Sequence, residues 1–312
     1  MSKILAVFGA TGQQGSSVVN HVLNDAELAQ EYKIRALTRD VNSPKAKELK
    51  EKAKVQVVEA DMTNHASLKA ALDGVHTVFI MTTPSFGPNA VETEFNTAKL
   101  IADTAVEQGV QYIIFSTLPS VTDISGGRYT HVTPFDAKAK AEAYIRTLPV
   151  KSAFTSLGYF MENLHNQPFL GIQPAPDGKW VLSRPVPSTT RLPYFYAVRD
   201  TGKFVGAILA APDKYEGKRF HAAAALYSLD EIVAALAKSS GKEVVYKQVT
   251  YEEFGAMMPF APDLWTDGFH AQEEWGYFGP GEEELVAWAV ENARGRLATL
   301  DEFLEEHPVQ LA

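Results

Sequence analysis

The chain of 312 residues contains no cysteine. That absence rules out disulfides, a thiolate nucleophile and any cysteine-ligated metal, and it fits a reducing compartment. Positive charge is scarce. Lys and Arg number 29 against 38 Asp and Glu, a formal net charge of −9, which argues against a broad phosphate-backbone footprint and so against direct nucleic-acid binding. No apolar stretch is long enough to span a bilayer, so no membrane partner is expected. The N-terminus lacks the basic, apolar and cleavage-site order of a secretory signal. There is no internal repeat and no low-complexity tract. Asp123 and Asp136 form neither a metal site nor a carboxylate pair with His131. The expectation is a soluble cytoplasmic protein, with the nucleus left open because a chain of 34.2 kDa reaches both compartments.

What is present is concentrated at Lys3 to Asn20. Ile4 to Phe8 is a continuous apolar run, Gly9 to Gly15 reads G-A-T-G-Q-Q-G, and Val18, Val19, Val22 and Leu23 then follow helical spacing. Strand, glycine turn and helix in that order suit a dinucleotide. Gly9 permits the tight turn, Gly12 lets a pyrophosphate approach the backbone, and Gly15 lets the helix pack on the strand. The helix N-terminus offers its free N–H groups and positive dipole end to the phosphates. The G-x-x-G-x-x-G spacing differs from the G-x-G-x-x-G of the dehydrogenase fingerprint.

Strands are expected at 33–37, 55–59, 77–81, 111–115 and 152–157, with helices between them. This alternation predicts an α/β chain: a doubly wound parallel sheet of the Rossmann kind, with a ligand crevice at the C-terminal ends of its strands. Arg39 follows the second strand, where the adenosine ribose is met, with Lys45 nearby. Arg suits a 2′-phosphate, so NADP is favoured, while the adjacent Asp40 keeps NAD open. Asp61 and Met62 are placed at the adenine edge. Thr82, Thr83 and Pro84 are placed over the cofactor's middle, and Ser116 ends the fifth strand. Residues 121–134 read as a loop, and Phe135 to Thr147 as a helix on which Lys138 and Lys140 take different faces. The segment 158–163, with Tyr159, Phe160 and Asn163, is positioned to close over the nicotinamide.

Beyond 163 the pattern changes. Residues 198–211 read as a helix capped by Asp200, 228–238 as a helix opened by a capping box, and 282–306 as one helix. The aromatic stretch 258–280 is expected to cap the cleft, with Trp265 to Phe278 lining it. The expected division is a nucleotide-binding domain over 1–160, rejoined by 190–225, and a smaller C-terminal α/β substrate-side domain over 161–189 and 226–312.

One further absence concerns chemistry. Short-chain reductases use Tyr-x-x-x-Lys, in which the lysine lowers the tyrosine pKa and the tyrosine exchanges a proton with substrate. Here Pro134 stands four before Lys138, and Asp136 four before Lys140. The candidates left for proton chemistry are Lys138 and His131. The segments GATGQQG, ALTRD, EADMTN, FDAKAKAEAYIRT and GYFMENL together resemble those of the NmrA-like proteins, atypical short-chain dehydrogenase/reductases. The resemblance spans nearly the whole chain and is strongest over 1–165. It implies a Rossmann domain that binds NAD(P), a lost catalytic tyrosine, and a role sensing the dinucleotide pool through protein partners such as transcription factors. By the same resemblance Gly9, Thr11, Gly12, Gln13, Gln14 and Gly15 hold phosphates, Arg39 and Lys45 the 2′-phosphate, and Lys138 with 159–163 the nicotinamide end. Isoflavone-reductase-like and quinone-reductase-like enzymes share the architecture, and the former use a lysine on this helix. A reductase of a carbonyl, quinone or phenolic substrate therefore stays open, as does the choice between monomer and homodimer.

Overall fold

A computed structural model describes residues 2–52 and 54–309. The strands in chain order are β1 (Lys3–Val7), β2 (Tyr32–Thr38), β3 (Val55–Glu59), β4 (Thr77–Ile80), β5 (Tyr112–Thr117), β6 (Lys151–Leu157), β7 (Tyr159–Phe160), β8 (Gln173–Pro174), β9 (Trp180–Arg184), β10 (Arg191–Phe195), β11 (Arg219–Ala222), β12 (Ala225–Ser228) and β13 (Val244–Gln248). Seven of them form one sheet in the order β11-β6-β5-β4-β1-β2-β3, and every pairing in it is parallel.

Helices cover both faces, which is why β4 and β5 are buried along their whole length and show no polar alternation. Along β1, Leu5 and Val7 meet the helices Gln13–Asn24 and Ala197–Ala210. Ala6 and Phe8 point the other way, toward His65–Leu72, Ala90–Glu107 and Thr133–Ile145. Strand order reverses between β1 and β4, and that switch point opens a crevice beyond the strand ends.

The remaining strands build two small sheets, β12-β10-β7 and β13-β9-β8, over a third core that includes Leu229, Ile232, Phe254, Phe269 and Phe303. The helix Leu229–Ser240 has the expected capping box, Ser228 with Glu231, and ends at Gly241 in the left-handed region.

Three expectations are corrected. Asp200 does not cap its helix. It is fully buried, pairs with Lys203 at 2.6 Å and accepts from the Ala298 N–H at 2.8 Å. The cap comes from Glu162, whose carboxylate accepts from Ala197 N at 3.1 Å and Val198 N at 2.7 Å. Residues 282–306 form two helices, Glu282–Asn292 and Leu300–Glu306. The first ends where Ala293 turns extended, Gly295 follows at φ +121°, and Thr299 starts a new helix with its own capping box. Within the stretch read as a loop, Val121–Ile124 forms a helical turn, and the next helix already begins at Thr133.

Candidate functional site

The first turn after β1 depends on its glycines. Gly9 sits at φ +64°, and a Cβ there would lie 2.8 Å from Met81 Sδ. A Cβ on Gly15 would lie 2.3 Å from the Gly9 carbonyl oxygen, so the missing side chain lets the helix pack against the turn. A Cβ on Gly12 would meet only the Gly9 oxygen, at 3.3 Å, because its other side opens onto the crevice. Gly12 is also the N-cap residue and has no side chain to cap with. The N–H groups of Gln13, Gln14 and Gly15 consequently have no acceptor among the described residues. Free N–H groups at the positive end of a 12-residue helix form an anion site.

The crevice is a cleft of about 1030 Å³. Of the residues expected at the phosphates, Gly9, Thr11, Gly12, Gln13 and Gln14 line it. So do Arg39, Asp61 and Met62 toward one end, then Thr82, Thr83, Pro84 and Ser116. Lys138, Tyr159, Phe160 and Asn163 line the far end. Lys45 is exposed in the first turn of the helix Pro44–Lys50 and is not part of the lining. Arg39 is exposed and has no ion-pair or hydrogen-bond partner among the described residues. Its neighbour Asp40 turns its carboxylate onto its own turn, accepting from Asn42 N at 2.8 Å. Asp61 does likewise: Oδ1 accepts from Thr63 N at 2.8 Å and from Thr63 Oγ1 at 2.7 Å, and these bonds hold the carboxyl below its usual range.

A family model described as the NmrA-like family matches residues 1–304. The chain belongs to that family. It is 30% identical over 276 residues to the NmrA-like family domain-containing oxidoreductase cpsB of Aspergillus campestris, an alignment covering 83% of this chain and 80% of that protein. Its fold is similar to that of NmrA, a negative transcriptional regulator, with a TM-score of 0.81 at 22% identity over 98% of this chain and 96% of the other. NmrA has also been solved in complex with NAD and with NADP. A second similar fold is an Escherichia coli NADPH-dependent quinone oxidoreductase, QOR2, solved with NADPH: TM-score 0.74, 20% identity, 97% and 99% coverage.

In this NmrA-like chain the far end of the cleft holds a buried ion pair. Lys138 Nζ donates to Glu94 Oε1, and their side chains are 7% and 2% exposed. Thr82 Oγ1 donates to the same oxygen at 2.6 Å. Glu94 Oε2 is buried with no partner among the described residues. Burial pushes the Lys138 pKa down, and Glu94 opposes that shift. Lys140, two residues on, is solvated and pairs with Glu92, so the two lysines do take different faces. Glu94 was missed by sequence reasoning. The available signal was its place on the buried stripe of the helix Ala90–Glu107, with Ala90, Ala98, Ile101 and Ala105.

His131 lies outside the lining. Its ring is 59% exposed, and Nδ1 bonds Asp267 Oδ2 at 2.8 Å. Asp267 also accepts from the Thr130 and His131 N–H groups, so the histidine pins its loop to the helix Pro262–Trp275. Two tyrosines border the cleft near Lys138. Tyr159 donates its hydroxyl to Gln272 Oε1 at 3.0 Å, and Tyr277 donates to the Leu157 carbonyl at 3.0 Å. Burial raises both phenol pKa values.

Proposed function

We propose that this chain binds NADP(H) in the cleft and acts as a regulator that responds to the dinucleotide. The free N–H groups of Gln13, Gln14 and Gly15 donate to the pyrophosphate oxygens, and the open face of Gly12 leaves it room. Arg39 takes the 2′-phosphate; its planar fork is the free cation on the lining at the end of β2. The observation that carries the regulator reading is the fate of the acids at the far end. Pro134 occupies the place of the tyrosine, Lys138 is held by Glu94, and the Tyr159 and Tyr277 hydroxyls are spent on Gln272 and the Leu157 carbonyl. The segment 159–163 also offers an output. Glu162 within it caps the helix Ala197–Ala210, so a ligand that shifts this segment biases that helix and any protein partner resting on it. The shift is bounded by the ligand's differential affinity for the two arrangements.

A second reading, an NADPH-dependent reductase, is favoured by the aromatic rings beyond Lys138. NADPH would supply hydride, and the Lys138 ammonium the proton, leaving a neutral amine beside Glu94. Calorimetric titration with NADPH and NADP⁺, followed by NADPH absorbance against quinones and carbonyls, separates the two. Tight binding without turnover is the expected result. Turnover lost in Lys138→Ala with the fold intact would establish the reductase, and absence of dinucleotide binding would overturn both.

A further inference from the structure

A smaller cavity, of about 20 Å³, adjoins the far wall of the cleft. Tyr159, Asn163, Trp265 and Phe269 line both spaces, whereas Arg184 and Tyr194 line the small one alone. A volume of that size holds one atom-sized guest. The lining comes from the segment after β6, from β9 and β10, and from the helix Pro262–Trp275. No Asp or Glu contributes to it.

Arg184 is 4% exposed, yet no carboxylate pairs with it among the described residues. Two of its N–H groups donate to carbonyls, that of Ser183 at 2.7 Å and that of Leu170. Those dipoles do not cancel a full charge. Burial pushes its pKa down, and the groups that oppose the shift are the phenols of Tyr194, Tyr159 and Tyr246. A guanidinium stays ionised even when buried, and a buried charge without a counter-ion is costly. A second observation concerns Trp265. Its indole Nε1 is buried and has no acceptor among the described residues, and an indole N–H can only donate. The side-chain amide of Asn163 also has no partner there. Unused donors and one uncompensated positive charge therefore border the same small space.

We propose that this cavity is a binding site for a single small monovalent anion, of the size of chloride, held by Arg184 and the Trp265 Nε1–H. The anion supplies the missing countercharge, and the Asn163 amide and Tyr194 hydroxyl have further donors to offer it. Monatomic size follows from the volume, which a carboxylate or sulfate exceeds. The anion joins β9 to the helix Pro262–Trp275 and to the segment that carries Tyr159 and Asn163, so an occupied site stiffens the far wall of the cleft. The site does not rest on the dinucleotide reading, since Arg184 and Tyr194 lie outside the cleft lining.

The test uses the full chain, freed of halide in sodium gluconate, with chloride replacing gluconate at constant ionic strength. Calorimetry gives chloride affinity, and melting temperature gives its linkage to the fold. Chloride is expected to bind at one site and to raise the melting temperature. Acetate, the oversized control, is expected to bind about tenfold more weakly or worse. Trp265→Phe keeps an aromatic ring and removes the N–H. It is expected to weaken chloride roughly 10- to 100-fold, the worth of one charge-assisted hydrogen bond. Arg184→Met should lose the chloride response altogether; if that variant does not fold, the Trp265→Phe affinity decides alone. A crystal soaked in sodium bromide should show an anomalous peak within the cavity. No one-site chloride binding, acetate binding equal to chloride, unchanged affinity in Trp265→Phe, or water alone in the cavity of the bromide crystal would each overturn the proposal. None of these readouts uses a dinucleotide, so a chain that fails to bind NADP⁺ but binds chloride would support this site and overturn the dinucleotide reading.

Discussion

Lys138 on the lining of the cleft and Glu94, 44 positions apart in sequence, form a buried ion pair, with Thr82 donating to the same carboxylate oxygen. A buried pair is costly to break from one side and much cheaper to replace whole. Lys138→Met or Glu94→Leu alone is therefore expected to destabilise the chain by about 3–5 kcal/mol, and the double substitution by far less. Urea midpoints of the three variants measure this; an additive double variant would contradict the coupling.

Arg39 is expected to discriminate between dinucleotides. Arg39→Ala removes charge-assisted hydrogen bonds worth about 1.5–3 kcal/mol, so NADPH should bind roughly 10- to 100-fold more weakly. NADH affinity should change little. Calorimetry with both ligands decides, and equal losses would refute the 2′-phosphate assignment.

The two inner glycines of the turn should fail differently. Gly15→Ala places a methyl 2.3 Å from the Gly9 oxygen and is expected to lower the melting temperature along with dinucleotide affinity. Gly12→Ala meets only one atom, at 3.3 Å, and is expected to stay folded while losing affinity, because the methyl projects where the pyrophosphate must come. Circular dichroism melts beside the binding titrations distinguish the two; a Gly12→Ala chain that binds normally would move the phosphates elsewhere.

Acid should weaken the fold partly through His221. It is buried on β11, its Nδ1 has no partner among the described residues, and burial lowers its pKa to about 4. The unfolded chain, near the ordinary 6.5, then binds the proton more readily, so stability rises with pH between about 4 and 6.5. The contribution is complete above that window and is lost as pH falls through it, amounting to about 2 kcal/mol at pH 5. His21, His76 and His165 are lowered by burial as well and add slope of the same sign. Denaturation at pH 7 and pH 5 should show a smaller pH-dependent loss in His221→Leu than in the parent; identical losses would exclude His221 as a contributor.

Much of the fold was readable because it is encoded locally. The apolar run at 4–8, the three glycines and the helical spacing after them lie within twenty residues, and backbone sterics allow them little else. The long helix 282–306 was misjudged because apolar spacing resumes after the break. The first helix ends where Ala293 turns extended, and just past it Arg294 bonds Asp25 and Glu27 far away in sequence.

The sequence alone determined the strand, glycine turn and helix at the start of the chain, the alternation that makes a parallel sheet, and the proline at 134 four before Lys138, because each depends on neighbours a few positions apart. Tertiary structure decided which groups those elements bring face to face. It gave Lys138 to Glu94, turned His131 onto Asp267 outside the cleft, made Glu162 the cap of a helix 35 residues away, and set Phe86 against Phe260. The reason is physical: a side chain's periodicity says which face it occupies, but its partner, its burial and hence its charge state are fixed only when two faces pack.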